Sequence, residues 1–455
     1  MTSFILVGDF VSPTSENELQ CFNGYIQVEN GTITEIGNRE AFDQKNNEGL
    51  QMDFSILKPD QFVMPGFIDC HTHAPQFPNL GLGLDRPLLE WLSKYTFPLE
   101  TKYKDKQFAA DVYEKVVKRL INNGTTTACY FGSLHLEGTL ELVKNVIKYH
   151  QRALVGKVSM NVQNDAGYFN NTADELRDVQ TFLDKVYEYK NDLVRPIITP
   201  RFAVSCDSEL MRGLSNLARK YNCMIQSHIS ENKQEVEYVL QTNSDCANYA
   251  DVYDQCGILN NKCIMAHAIY LSESEMSTFA SKGVSVAHCP ASNTRLKSGL
   301  CPVRRLLDNK VCVGLGTDVS GGDNASILDA MRRAMDVSEH LLLTGHGGPA
   351  LSWKEALYLA TVGGAKALGL QDKIGTFEIG KQFDALILDV TDPRGPIDNF
   401  KDSSAGTDAI VDKAQRFVYC ADDRNIVQVY INGRIVKNIL PYYKSAEAYD
   451  TFFSS

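Results

Sequence analysis

The chain reads as an α/β protein: a (β/α)8 TIM-type barrel with a smaller β-sandwich domain formed from both termini. Three observations predict this. Eight short apolar runs alternate with longer helical stretches between residues 62 and 314, the texture of βα units around a parallel sheet. Their number, and the roughly 250 residues they span, match one such barrel. Short β-prone runs open the chain and return after about residue 374, which suggests one layer built from both ends with the barrel inserted between them. The expected division is a composite unit of residues 1–64 and 375–455 around a barrel of residues 65–374.

In order, residues 4–7, 24–28 and 33–36 are β-prone and separated by turn formers such as Asn30-Gly31 and Gly37-Asn38, the signature of a small β-layer. The barrel strands are expected at 62–70, 125–131, 153–160, 196–199, 223–226, 263–266, 284–287 and 311–314. Residues 106–122 place Phe108, Val112, Val116, Val117, Leu120 and Ile121 at helical spacing, so an amphipathic helix is expected there. The polar stretch 164–174 reads as a loop. Beyond the barrel, strands are expected at 383–388, 416–420 and 427–436.

Composition narrows the function. With 44% hydrophobic and 22% charged residues, a sizeable core is available. A formal net charge of -11 argues against a nucleic-acid or anionic-membrane surface and leaves small molecules as the better guess. No basic leader precedes an early apolar run, and no stretch of about eighteen apolar residues exists to span a bilayer. The twelve cysteines include no C-x-x-C pair and read as reduced, buried thiols, so the cytosol is the expected compartment.

The chemistry gathers at expected strand ends, where barrel enzymes carry their sites. His71 and His73 close the first run; at i and i+2 on a strand both imidazoles share one face. His228 and Glu231 follow the fifth run, His267 ends the sixth and Asp318 follows the eighth. His71, His73, His228 and Asp318 make a first shell for one zinc ion with room for a water. Zinc lowers the pKa of such a water from ~16 to ~7. Asp318 is the candidate to take the water proton, Glu231 to carry a proton to a substrate nitrogen, and His267 to hold the hydroxide or the tetrahedral intermediate. Each also has a plain structural reading: a satisfied strand-end histidine, a helix-start acid at Glu231, an N-cap at Asp318. Their coincidence at successive strand ends favours the site.

Other signals fall away. Gly314-x-Gly316 lacks the third glycine of a dinucleotide fingerprint. The H-x-E with P-C-x-x-C pattern of cytidine-type zinc deaminases is absent. His288-Cys289 are strand neighbours facing opposite ways and read as structural. His135, His150, His340 and His346 have no partners by spacing.

Taken together, Met64-Pro-Gly-Phe-Ile-Asp-Cys-His-Thr-His73, His228, His267, His288-Cys-Pro-Ala-Ser-Asn293, Gly316-Thr-Asp318 and Gly375-Thr-Phe-Glu-Ile-Gly-Lys-Gln-Phe-Asp-Ala-Leu-Ile387 resemble the amidohydrolase superfamily in order. Many members bridge two metals with a carbamylated lysine on the fourth strand. Residues 197–202 contain no lysine, which points to the mononuclear deaminase branch. Within that branch, His73-Ala-Pro-Gln76, Pro87-Leu-Leu-Glu-Trp-Leu92, Lys94-Tyr-Thr-Phe-Pro98, Thr199-Pro-Arg-Phe202 and Gln226-Ser-His-Ile-Ser-Glu-Asn232 resemble enzymes that deaminate guanine hydrolytically. Pro75 departs from that pattern, where a serine is expected. The resemblance implies that Gln76 and Arg201 bond the purine edge, with Arg201 on its carbonyl, while Phe202 and Trp91 pack the ring; an arginine fork suits a carbonyl edge and an aromatic face suits a base. A surface ion pair for Arg201 and core packing for Trp91 are the plain alternatives. One zinc per chain, guanine as substrate and a homodimer are likewise implied. Another mononuclear deaminase or a chlorohydrolase of a different heterocycle, and a non-catalytic scaffold of this fold, are the competing readings.

Overall fold

The computed structural model describes residues 3–398 and 409–439, so parts of the unit expected at 1–64 and 375–455 lie outside the described residues. Strands β1 (Ser3–Pro13), β2 (Leu19–Glu29), β3 (Thr32–Asn38), β4 (Phe54–Ile56) and β5 (Gln61–Pro65) precede the barrel. The barrel positions are filled by β6 (Phe67–His73), β7 (Thr125–Phe131), β8 (Arg152–Gly156) with β9 (Val158–Ser159), and β10 (Val194–Pro196) with β11 (Thr199–Pro200). They continue through β12 (Ile225–Ile229), β13 (Cys263–His267), β14 (Ser285–His288) and β15 (Cys312–Leu315). Strands β16 (Ala385–Asp389), β17 (Ile426–Ile431) and β18 (Arg434–Asn438) close the described chain.

The strands from the two ends form one hydrogen-bonded sheet of eight, ordered β18-β17-β16-β5-β1-β2-β3 with β4 on β1. Side-chain alternation gives that sheet two jobs. On β5, Val63 turns to a core with Leu6, Phe10 and Phe383. Its neighbours Phe62 and Met64 turn to the large core shared with the barrel helices.

The expected strand 62–70 is therefore two strands in different sheets. The break is Gly66: a Cβ there would lie 2.2 Å from Thr126 Oγ1, so only glycine lets the chain pass from sheet to barrel this close to β7. The expected strand 416–420 is also corrected. It belongs to the helix Ala409–Cys420, whose Ala414, Phe417 and Val418 are buried at helical spacing. The helix Arg39–Asn47 lies within the opening β-layer, and the polar stretch 164–174 gives way to a helix at Thr172, capped by Asn171.

The parallel ladder is interrupted: β10-β8-β7-β6, β11-β9 and β12-β13-β14-β15 are its continuous pieces. Backbone bonds span the gaps, with Gln226 N donating to Ile198 O at 2.9 Å and Asp318 N to His71 O at 2.8 Å. Inside, Ile68, Cys129, Leu154, Ile197 and Ile264 pack on Ala365, Leu368, Leu370 and Ile374. The barrel is thus plugged by apolar side chains and leaves its other end for chemistry. The helix Lys106–Asn122 is as expected, capped by the Asp105 carboxylate. All twelve cysteines are free. Among the described residues no helix is long and apolar enough to cross a membrane.

Candidate active site

The strand ends deliver the polar groups to one point. His71 Nε2 and His73 Nε2 lie 3.2 and 3.4 Å from Asp318 Oδ1, and His73 Nε2 lies 3.1 Å from His228 Nε2. The close approach of β15 to β6 has a local cause. A Cβ on Gly316 would meet Cys289 Sγ and His71 Cβ at 2.9 Å, so the Gly314-Leu-Gly316 pattern serves packing beside the site. The buried Asp69 carboxylate fixes the same seam. It accepts His71 N at 3.2 Å, Thr317 N at 3.0 Å and Thr317 Oγ1 at 2.5 Å.

Two imidazole nitrogens 3.1 Å apart can share a hydrogen or hold a metal ion between them. His228 Nδ1 is 2.6 Å from the Arg201 carbonyl, which only accepts, so Nδ1 carries the hydrogen and Nε2 presents a lone pair. Burial, and then the neighbouring His71, hold both His73 and His228 well below the ordinary histidine range, so both rings are held neutral, the form that ligates a metal. Two nitrogens on one tetrahedral zinc stand about 3.3 Å apart, given bonds of about 2.0–2.1 Å. Donor atoms lie close enough to share a metal ion in three overlapping groups, His71 with His228 and His267, His71 with Cys289 and Asp318, and Glu231 with His267 and Asp318, and the His73 contacts add a further nitrogen. The residues present fit a metal ion.

The two carboxylates are driven apart. Burial, reinforced by Asp318 and Glu235, pushes Glu231 well above the ordinary glutamate range. Burial acts upward on Asp318 too, but His71 and His267 outweigh it and leave it below its ordinary value. Opposite shifts of this kind suit one carboxyl to hold a proton and its neighbour to release one. His267 stands between them, Nε2 3.4 Å from Glu231 Oε2 and 3.8 Å from Asp318 Oδ2. Its Nδ1 donates to Asn293 Oδ1 at 2.8 Å, so Nε2 is the free acceptor, and burial lowers its pKa to about 4. Backbone at these ends is left-handed: φ is 73° at His267, 47° at Asp318 and 50° at Ser230. That conformation costs non-glycine residues of order 1–3 kcal/mol each and is held here by the surrounding bonds.

A cavity opens on this cluster, lined by His73, His228, Glu231, His267 and Asp318. The same cavity is lined by Gln76, Trp91, Arg201 and Phe202, so every residue singled out from the sequence meets there except His71, which lies behind. Trp91 and Phe202 share one buried apolar cluster with Leu88, Leu92 and Leu296, and Trp91 Nε1 donates to Leu82 O at 3.0 Å. Core packing and pocket wall are the same contact for Trp91. Pro75 leaves Gln76 buried in the wall, and the Pro75 carbonyl is tied down by the Tyr103 hydroxyl at 2.7 Å.

Sequence reasoning missed Glu100. Its fully buried carboxylate takes Arg201 Nη1 at 2.7 Å and Nη2 at 3.2 Å, and Gln76 Nε2 at 3.0 Å. The ion pair that was one reading of Arg201 therefore exists, inside the pocket wall and not on the surface. The sequence motifs contain Asn293 and Asp69 but give neither a role. Only the fold shows Asn293 on His267 and Asp69 on Thr317.

The barrel with a metal-fitting histidine–aspartate cluster at its strand ends defines a class, and the sequence agrees. Residues 62–436 match the Amidohydrolase family, to which this chain belongs. Within it, the chain is 45% identical to the guanine deaminase of Mus musculus over 392 residues, 86% of this chain and 85% of that one. It is 34% identical to the guanine deaminase of Escherichia coli over 432 residues, covering 94% and 95% of the two. A crystal structure of guanine deaminase from C. acetobutylicum with guanine bound in the active site superposes with TM-score 0.87 at 34% identity, covering 95% of this chain and 100% of that one.

Proposed function

We propose that this chain hydrolyses guanine to xanthine and ammonia. The observation that carries the reading is one cavity lined both by a metal-fitting, acid–base cluster and by an arginine, an amide and two aromatic rings suited to a planar base. The relatives named for that activity support it.

His71, His73, His228 and Asp318 would hold one zinc ion, which supplies a water acidified to about pKa 7. Lys157, the buried lysine on the barrel wall, is committed to Glu175 at 2.9 and 3.1 Å, consistent with a single-metal site. Asp318, kept ionised, takes the proton of the attacking water. Glu231, kept protonated, donates to the ring nitrogen beside the amino-bearing carbon. As that carbon becomes tetrahedral, His267 Nε2 accepts a hydrogen bond from the added oxygen. The carbon–nitrogen bond to the amino group then breaks as Asp318 passes its proton to the departing nitrogen, while Glu231, ionised by the first transfer, takes the proton of the added hydroxyl as the carbonyl forms. Oxygen is gained and ammonia lost, which balances the hydrolysis. Gln76 and Arg201 bond the edge of the base, Arg201 on its carbonyl, while Phe202 and Trp91 cover its faces. The same reading carries a homodimer in the cytosol.

Ammonia release on adding guanine, measured beside the metal content of the purified protein, tests this. About one zinc per chain with turnover is expected. Turnover of adenine, cytosine or a triazine in place of guanine would transfer the assignment to another heterocycle, and absence of both metal and turnover would leave a scaffold.

A further inference from the structure

Glu100 ends the short helix Phe97–Glu100 in a Phe-Pro-Leu-Glu turn and touches neither the metal-fitting cluster nor the two catalytic carboxylates. Its oxygens are used on the groups that face the base. A guanidinium has five N–H donors. Two are spent on Glu100, one from each terminal nitrogen. Phe97 packs against the group, its ring centre 5.1 Å from Arg201 Cζ. The fork is thus clamped on two sides in the wall of the cavity that Arg201 lines, with three donors not used on Glu100.

Gln76 is fixed by the same carboxylate. A carboxylate only accepts, so the amide nitrogen faces Glu100 at 3.0 Å and the amide oxygen takes Ser320 N at 3.2 Å. One N–H and one lone pair remain for a ligand. The pair Arg201–Glu100 is also neutral as a unit. A bare buried arginine would favour a carboxylate, a phosphate or an ionised heterocycle; one already matched by a carboxylate offers directed donors without net charge.

We infer that Glu100 is a positioning residue that sets specificity: by orienting Arg201 and Gln76 and cancelling the arginine's charge, it makes the wall read a neutral lactam edge and turn away anionic heterocycles. This rests on the deamination reading above. Guanine presents a neutral carbonyl beside an N–H. Urate, an anionic purine at neutral pH, is the probe for the opposite preference.

In metal-loaded Glu100→Gln, kcat/KM for guanine should fall by about tenfold to a hundredfold, carried in KM, because directed bonds to a charged group are lost. Metal content and the pH profile set by Glu231 should not move. Urate should inhibit the variant about tenfold more tightly than the wild type, a gain that a merely structural lesion does not produce. Should Glu100→Gln fail to fold, the pair Arg201→Met and Arg201→Met/Glu100→Leu serves, since apolar replacement of a buried ion pair is often tolerated. Removing Glu100 from an enzyme without Arg201 should then cost less than removing it from the wild type, the remainder being its hold on Gln76. An unchanged guanine KM, unchanged urate inhibition, or a full additive loss in the double variant overturns the inference. Wild-type protein that releases no ammonia from guanine sinks the deamination reading itself, whereas active wild type with additive variants sinks only the role of Glu100.

Discussion

Two buried arginine–carboxylate pairs sit at opposite ends of the barrel, and the same bond serves them differently. Arg152, at the start of β8, holds Asp384 through Nε at 3.0 Å and Nη2 at 2.8 Å, and Asp384 also accepts Asn432 N at 2.7 Å. That pair joins the barrel to the sheet made from the chain ends. Arg201, just past β11, holds Glu100 with a similar fork, but it lines a cavity and shares its carboxylate with Gln76. Burial does not separate them: side-chain exposure is 3% and 2% for the first pair and 3% and 0% for the second. What separates them is that Arg201 lines the cavity over the histidine–aspartate cluster, whereas Arg152 ties the barrel to the sheet.

The largest effects should fall at the cavity end. Asp318→Ala removes an acidic donor that touches both first-strand histidines, and should lose metal and turnover together. Stoichiometric metal in that variant, by elemental analysis, would take Asp318 out of the ligand set. Glu231→Gln should keep the metal and lose turnover by about 10²- to 10⁴-fold, the usual contribution of a positioned acid. A near-normal kcat would end its role as proton carrier.

The opposite end should answer in stability alone. Asp384→Ala leaves Arg152 buried without its partner, a loss of about 3–5 kcal/mol in unfolding free energy. The kcat/KM of the protein that stays folded should remain within about twofold of wild type, because no group in the cavity has moved. Denaturant unfolding alongside active-site titration measures both. A parallel collapse of kcat/KM would show that the two ends are not separable.

The difference between these ends also explains what could be read from sequence. The strand β13 is covered on both faces, so it appears as a continuous apolar run, and the histidine at its end stands out. The stretch 416–420, Arg-Phe-Val-Tyr-Cys, is β-prone residue by residue, yet it is one turn of a helix whose buried stripe shows only over a longer window. Glu100 left no signal at all. It follows a proline and a leucine, precedes Thr-Lys-Tyr-Lys, and looks like a surface acid; its partner Arg201 is more than a hundred residues away and meets it only after the barrel closes. Patterns of burial are local in sequence, while the partner of a buried charge is not.

Glu235 gives a smaller and finer test, because it supports the cavity end without lining it. It is fully buried; one oxygen accepts Glu231 N at 2.8 Å and Asn232 N at 3.0 Å, and the other accepts the Tyr249 hydroxyl at 2.7 Å. Burial is the main cause that lifts its pKa from 4.5 to about 7. A raised carboxyl is protonated more firmly in the folded chain than in the unfolded one, so its stabilising contribution is complete below pH 4.5 and is lost as pH climbs to about 7. Gln at this position keeps an oxygen for the two backbone N–H groups and a donor for Tyr249 but cannot titrate. The unfolding free energy of wild type relative to Glu235→Gln should therefore decline between those pH values by on the order of 2–3 kcal/mol, and level off above. Urea unfolding of both proteins at a series of pH values reads that difference directly. A difference that stays flat across the window would mean that Glu235 holds the same protonation state folded and unfolded, and that the cavity end, like the Arg152 end, is tied down by groups whose charge does not change with pH.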